Sequence, residues 1–182
     1  LGVAHSVGDM LRNYMPAHLL AGWVRPIMVA RYVANRDLGE LSLIANLILK
    51  LNLFGLLPAT AVFAVLGDPL MAWVTAGRYP QLGLLLTLFT VLVMLQSAHV
   101  LLSMILLVLE QAGVSLRATL AAAAALPVLV LALWLVGVAG APIGLALGEA
   151  VWVAAAWLLL RGRGFVLHFD ARGALKLLVA AL

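Results

Sequence analysis

The stretch that decides the fold is residues 79–109, YPQLGLLLTLFTVLVMLQSAHVLLSMILLVL, which contains no Asp, Glu, Lys or Arg. A helix needs about 20 consecutive apolar residues to cross the hydrocarbon core of a bilayer, so this stretch is long enough to cross once. Residues 118–148 are also free of charge and contain a Gly- and Pro-bearing bend at 137–142, so they hold more than one element. Both stretches predict membrane-crossing helices.

The composition of the whole chain agrees with a membrane protein and excludes several other classes. Its 66% hydrophobic and 10% charged residues leave too little polar surface to cover a water-soluble globule. The net charge is +4, but the basic residues stand singly beside apolar runs, so nucleic acid is not an expected partner. Cysteine is absent, and no HExxH, GxSxG, Walker or GxGxxG motif occurs. We therefore expect no enzymatic activity, no cofactor and no metal site.

The hydrophobic runs predict an all-α fold, a single transmembrane domain over residues 1–182 that is a bundle of about five full spans plus the start of a sixth. The predicted spans are 3–33, 41–66, 81–109, 116–136 and 140–160, and the sixth begins near Ala174. Since the chain starts with Leu1 and stops inside an apolar run, we expect it to be a piece of a longer protein.

The second predicted span carries two signals that we expect to shape it. Pro58 is expected to kink the helix, and Gly67-Asp68-Pro69 is expected to end it. The segment from there to residue 80 contains aromatic residues typical of the membrane interface, so a short interfacial helix is expected in it.

The distribution of positive charge predicts the orientation in the membrane, because cytoplasmic loops carry an excess of Lys and Arg. Of the eleven Lys and Arg residues, seven fall on one side of the five-span arrangement: Arg31, Arg36, Arg117, Arg161, Arg163, Arg172 and Lys176. The other side receives Arg78 alone. Loops 34–41, 110–116 and 161–173 are therefore predicted to be cytoplasmic.

Charged residues inside the spans are the candidates for a binding site, since each costs about 2.5 to 3.5 kcal/mol on insertion unless it faces protein or water. In the first span, Asp9 and Arg12 are three residues apart and share a helical stripe with His5, Asn13 and Pro16. The stripe indicates a polar surface facing a cavity. The alternative is an ion pair near the interface, with the arginine reaching the headgroups.

Two further sets of polar residues are candidates with a plainer alternative. Ser42, Asn46 and Lys50 recur every four residues and form a ladder on the second span, although the lysine can also reach back to the cytoplasmic interface. Arg25 is followed by Pro26, so its charge can also satisfy carbonyls that the proline leaves free.

On the third and fifth predicted spans the polar residues favour contacts between helices. Gln96, His99 and Ser103 share a face, a pattern typical of interhelical hydrogen bonds. Glu149 is either a proton-coupling carboxylate or a partner for a neighbouring helix. Gly140, Gly144 and Gly148 give two consecutive GxxxG spacings, which predict close approach of another helix.

Several short motifs occur in an order that resembles the multidrug/oligosaccharidyl-lipid/polysaccharide flippase superfamily, and within it the polysaccharide exporters and O-antigen flippases. The motifs are Trp23-Val24-Arg25-Pro26-Ile27-Met28, Arg36-Asp37-Leu38, Thr75-Ala76-Gly77-Arg78-Tyr79, Glu110-Gln111-Ala112-Gly113 and Gly137-Val138-Ala139-Gly140-Ala141-Pro142-Ile143-Gly144. The resemblance covers about residues 3–164. Family members usually have twelve to fourteen helices in two bundles, so this chain resembles the larger part of the second bundle.

The resemblance implies a transporter of the bacterial inner membrane that flips a polyprenyl-pyrophosphate-linked saccharide by alternating access. It implies a cationic cavity for the pyrophosphate, with membrane lipid, the lipid-linked oligosaccharide and the missing N-terminal helices as partners. The candidate substrate-binding residues are Arg12, Lys50, Asp9, Asn46, Arg25 and Gln96. Candidate ion-coupling residues are Glu149 and Asp9.

Three alternatives remain open from the sequence. A multidrug-type drug or cation exporter would rely on acidic cavity residues, whereas most charges inside these spans are basic. A membrane glycosyltransferase or ligase would place its catalytic groups in sizeable loops, and the loops here are short. A scaffold or assembly subunit would need no substrate site.

Overall fold

The fold is taken from a computed structural model, which describes residues 21–78, 83–137 and 140–165. These residues form helices, without a strand among them. The helices are α1 (Ala21–Asn35), α2 (Leu38–Val74), α3 (Gly83–Val108), α4 (Ala112–Ala123), α5 (Leu126–Val136) and α6 (Gly140–Arg161). The predicted all-α helical bundle is confirmed.

Four stretches of the described chain are long and apolar enough to cross a membrane, namely α2, α3, α4 together with α5, and α6. This is fewer than the five spans predicted. The predicted first span, 3–33, is described only from residue 21 onward, as α1. The start of the sixth span lies outside the described residues.

The surface of these helices is apolar, as expected if lipid rather than water surrounds them. Large hydrophobic side chains are exposed along their whole length, including Leu43 at 71% and Trp134 at 81% of their accessible area. Helix α5 contains no buried residue. A water-soluble protein of this size rarely exposes so continuous an apolar surface, which supports a membrane protein.

The predicted end of the second span at Gly67-Asp68-Pro69 is wrong, because α2 continues through these residues to Val74. At 37 residues it is about 55 Å long, well beyond the roughly 30 Å of a hydrocarbon core. Pro58 also lies inside the helix. The expected separate interfacial helix is wrong over the described part of that segment, because residues 69–74 belong to α2.

Contacts with α3 explain why the glycine and aspartate do not end α2. A Cβ on Gly67 would lie 2.7 Å from the Cα of Gly83, so the two helices touch through backbone atoms there. The Asp68 carboxylate accepts a hydrogen bond of 2.9 Å from the Gly83 N–H, at the first residue of α3. Gly67 and Asp68 therefore pack and cap α3, a tertiary role that outweighs their local tendency to break a helix.

The predicted span 116–136 lies within one of the four membrane-length stretches, but it is built from two helices, α4 and α5, separated by a turn at Ala124-Ala125. Helix α4 begins at Ala112, earlier than predicted. Pro127 lies in the first turn of α5 and has no N–H to offer the carbonyl of Ala123. The missing bond is a physical reason for the break.

Helix α3 is the centre of the described bundle, since it contacts α1, α2, α4 and α6. The largest hydrophobic cluster joins the ends of α1, α3 and α6 to the starts of α2 and α4, so these five ends lie together. Ile105, Val114 and Leu160 are among its most buried side chains. We call this end the clustered end of the bundle.

The clustered end carries the positive charge that the sequence assigns to one side. Arg31 of α1 pairs with Glu40 of α2, and Asn35 donates a 3.0 Å hydrogen bond to the same carboxylate. Asp37 caps α2 by accepting 2.7 Å from the Gly39 N–H. The described members of the seven-charge set therefore lie near one end, and its cytoplasmic location stays a prediction.

Candidate functional site

A histidine and a glutamate from two different helices meet inside the bundle. The Nδ1 atom of His99 on α3 lies 2.6 Å from Oε2 of Glu149 on α6. Their side chains are 33% and 23% exposed, so both are largely withdrawn from the surface. A contact this short is a hydrogen bond. Either the ring N–H of His99 or the carboxyl group of Glu149 is its donor, depending on where the proton resides.

The imidazole of His99 is held on its face by a tryptophan. Its ring stacks on Trp152, with centroids 3.7 Å apart and an angle of 7° between the planes. Trp152 is 4% exposed and donates from Nε1 to Oγ1 of Thr119, over 3.2 Å. Thr119 in turn donates to the carbonyl of Ser115, over 3.0 Å. The cluster thus connects α3, α4 and α6.

These residues line a cavity of about 390 Å³ between α3, α4, α5 and α6, which we call the inner cavity. Its polar lining comprises His99, Ser103, Ser115, Thr119, Glu149 and Trp152. Ala123 and Ala125 also line it, so the break between α4 and α5 opens onto the same space. A helix break leaves backbone carbonyls free to contact a ligand or ion, as in broken helices of membrane transporters.

A larger open groove of about 1010 Å³ lies between α1 and α3. Its wall contains Arg25 and Pro26 of α1 together with His99, Ser103 and Met104 of α3. His99 and Ser103 therefore lie between the groove and the inner cavity. Among the described residues, no carboxylate forms an ion pair with Arg25.

The ionisable residues of this region lie at one depth in the bundle. Arg25, His99 and Glu149 are nine to twelve residues from the clustered end of their helices, which corresponds to about 13 to 18 Å. The α4–α5 break lies twelve residues from the same end. Half the thickness of a hydrocarbon core is about 15 Å, so with the clustered helix ends at its edge these residues would lie close to the centre of the membrane.

The remaining predicted site residues lie elsewhere or outside the described chain. Asn46 is buried and donates to Ser42 over 3.4 Å, while Lys50 is exposed on α2. Lys50, Asn46 and Gln96 line neither the inner cavity nor the groove. Asp9 and Arg12 lie outside the described residues, and their assigned roles stay predictions.

The three glycines of the predicted GxxxG pattern do not all contact another helix. A Cβ on Gly140 would lie 2.2 Å from the carbonyl oxygen of Ala132, and one on Gly144 would lie 2.7 Å from the Cα of Leu129. These two glycines allow α5 to pack backbone to backbone on α6. Gly148 has no atom within 4 Å of its Cβ position and lines the inner cavity instead.

The partner of Glu149 could not be read from the sequence. The spacing of Gln96, His99 and Ser103 indicates a contact face, but the carboxylate lies 50 residues away on another helix. The one local signal is that Trp152 follows Glu149 by three residues, which places both on one helix face.

Over the described ranges, no three His, Asp or Glu side chains gather into a candidate metal site.

Comparison of the chain with known protein families, with curated proteins and with solved structures finds no match.

Proposed function

We propose that this chain is part of a membrane transporter that moves an anionic, lipid-linked saccharide across a bacterial inner membrane by alternating access. The observation that carries the proposal is Arg25, a cation at mid-membrane depth in the wall of the open groove, without a carboxylate partner among the described residues. A cation at that depth is costly unless it faces a counter-charge, water or an anionic ligand.

The size and position of the groove fit a lipid-linked headgroup. Its volume of about 1010 Å³ is at the upper end of ordinary ligand sites, which are about 300 to 1000 Å³. Because the groove is open, a phosphate group can contact Arg25 while its hydrocarbon chain stays in the bilayer. Arginine binds phosphate through several N–H donors at once, which suits recognition of a pyrophosphate.

The break between α4 and α5 also fits transport. It lies at the same depth as Arg25 and lines the inner cavity next to His99. Substrate and coupling-ion sites of many transporters are formed at broken helices near the bilayer midplane.

The test compares three variants of the protein in its host cell. Arg25→Ala should lower surface polysaccharide at least about tenfold, since a charge-assisted contact to phosphate is worth about 1.5 to 3 kcal/mol. Arg25→Lys should retain an intermediate level because it keeps the charge but loses the planar donors. Arg36→Ala is the control, because Arg36 lies in the exposed α1–α2 turn over Tyr32. Normal export by a stably inserted Arg25→Ala protein would refute the proposed anion contact.

A second candidate, export of an organic cation, is favoured by Glu149. This carboxylate lines the inner cavity together with the aromatic ring of Trp152, and both groups attract cations. In that case Glu149→Gln would abolish resistance to cationic drugs, whereas Arg25→Ala would leave resistance unchanged. The saccharide transporter predicts no change in drug resistance for either variant.

A further inference from the structure

We propose that a passage between α3 and α4 connects the clustered end of the bundle with the inner cavity and admits water and small cations. A crevice of about 610 Å³ lies between these two helices. Its polar lining comprises Ser103, Glu110, Gln111, Ser115 and Thr119. Three of these residues, the two serines and the threonine, also line the inner cavity, so the crevice and the cavity adjoin each other.

Small hydroxyl side chains form the boundary between the crevice and the inner cavity. Ser103 lies on the α3 side, and Ser115 and Thr119, one turn apart on one face, lie on the α4 side. Within the described ranges, no side-chain hydrogen bond joins α3 to α4. Thr119 is instead held by α6, because it accepts its 3.2 Å hydrogen bond from Trp152. The boundary is therefore polar and is not closed by a bond between the two helices.

The mouth of the crevice lies at the clustered end, where Glu110 and Gln111 join α3 to α4. Gln111 is the residue before α4 but makes no side-chain hydrogen bond to the first N–H groups of the helix. Ala112, the first residue of α4, is exposed and lines the crevice. Free N–H groups at a helix start need a partner, and water supplies it where no side chain does. The mouth is therefore suited to contact with water.

The charge of the lining favours cations over anions. Glu110 lines the crevice and Glu149 lines the inner cavity, whereas neither space has a lysine or arginine among its described lining residues. Arg117 follows Ser115 by two residues, about 200° around the helix, and so lies on the opposite face of α4. Acidic side chains in a space walled by apolar helices attract cations and repel anions.

Introduced thiols test the passage, since the sequence contains no cysteine. Ser115→Cys and Thr119→Cys place a thiol between the crevice and the inner cavity. The matched control is Leu120→Cys, because Leu120 is the next residue of α4, is 63% exposed and lines neither space. The reagent is a methanethiosulfonate with a trimethylammonium group, which reacts with ionised thiols in water and does not cross membranes.

In the membrane of its host cell, each of the two passage variants should react at least about tenfold faster than Leu120→Cys, because a thiol facing lipid does not ionise. If Ser115→Cys does not insert stably, Thr119→Cys decides alone, since it differs from the control by one position. Rates equal to that of Leu120→Cys would overturn the passage.

The route of entry is measured with the same reagent. Gly162→Cys, directly after α6, marks the clustered end, and Ser115→Cys should react from the side of the membrane on which Gly162→Cys reacts. Reaction only from the opposite side would overturn the route. Arg25→Ala should leave the rate within about threefold, because Arg25 lines the groove and not the crevice. A larger increase would show that the cation enters through the groove, which would also overturn the route.

The preference for cations is tested with a sulfonate reagent that carries the same reactive group and a negative charge. Each rate is divided by the rate of that reagent with a small free thiol. At Ser115→Cys, the cationic reagent should then be about threefold faster or more, and Glu110→Gln should reduce this ratio by about half or more. A ratio below one, or a ratio that Glu110→Gln leaves unchanged, would overturn the cation preference assigned to the passage.

Discussion

At the scale of single residues, the account depends on a few side chains that meet across helices. His99 of α3, Thr119 of α4 and both Glu149 and Trp152 of α6 form one connected set of contacts. Two glycines have an equally specific role, because Gly67 and Gly83 bring α2 and α3 into backbone contact. We expect substitution of a glycine at such a backbone contact to destabilise the protein, and substitution of a glycine with open space beside it to be tolerated.

Gly67→Ala should destabilise the protein, because the added methyl group would lie 2.7 Å from the Cα of Gly83. We expect a loss of about 1 to 3 kcal/mol in the free energy of unfolding. The matched control is Gly55→Ala in the same helix, where nothing lies within 4 Å of the new Cβ. Thermal unfolding in detergent measures both variants, and equal melting temperatures for the two would contradict the close approach of α2 and α3.

At the scale of elements, the pairing of α5 with α6 and the break between α4 and α5 form the wall of the inner cavity. Gly140 and Gly144 fix the first of these features, and Pro127 gives a reason for the second. Among the described helices, α5 packs mainly on α6, and none of its residues is buried. The α5–α6 pair should therefore be sensitive at those two glycines.

Gly144→Ala should separate α5 from α6, because its Cβ would lie 2.7 Å from the Cα of Leu129. We expect a loss of about 1 to 3 kcal/mol of stability. Gly148→Ala, one turn further along α6, meets open space and should leave stability within about 1 kcal/mol of the parent. Urea or detergent unfolding compares the two, and a more damaging change at Gly148 would show that the packing has been misassigned.

The sequence was sufficient for the class of fold and for most helix positions, because long uncharged runs leave few structural options in a bilayer. It was insufficient where a residue has a tertiary role. Gly67-Asp68-Pro69 reads locally as a helix end, but Asp68 caps α3 from inside α2. The pairing of His99 with Glu149 depends on which helices are neighbours, and hydrophobic periodicity carries no such information.

At the scale of the whole molecule, the described helices form a membrane bundle with a positively charged clustered end. Three ionisable residues, Arg25, His99 and Glu149, lie at a similar depth nearer its centre. Charge counting predicts that this end faces the cytoplasm. The absence of cysteine from the sequence allows a direct test with single introduced thiols, free of background labelling from the chain itself.

Gly162→Cys lies at the clustered end and Ala76→Cys lies in the turn at the opposite end, and neither change alters a charge. In intact cells a membrane-impermeant maleimide should label Ala76→Cys and should label Gly162→Cys only after the membrane is opened. The reverse labelling pattern would show that the positive end faces outward.

The claim on which the account rests is that the groove and the inner cavity hold water between the helices and not lipid. Electron paramagnetic resonance can compare spin labels at Ser103→Cys and Leu43→Cys, which lie five residues from the clustered end of α3 and of α2 respectively. Ser103 lines both the groove and the inner cavity, whereas Leu43 is an exposed apolar residue. In lipid vesicles, the label at Ser103 should collide more with a water-soluble nickel chelate, and the label at Leu43 more with oxygen. Equal preference for oxygen at both positions would contradict a water-filled site and, with it, the proposed transport function.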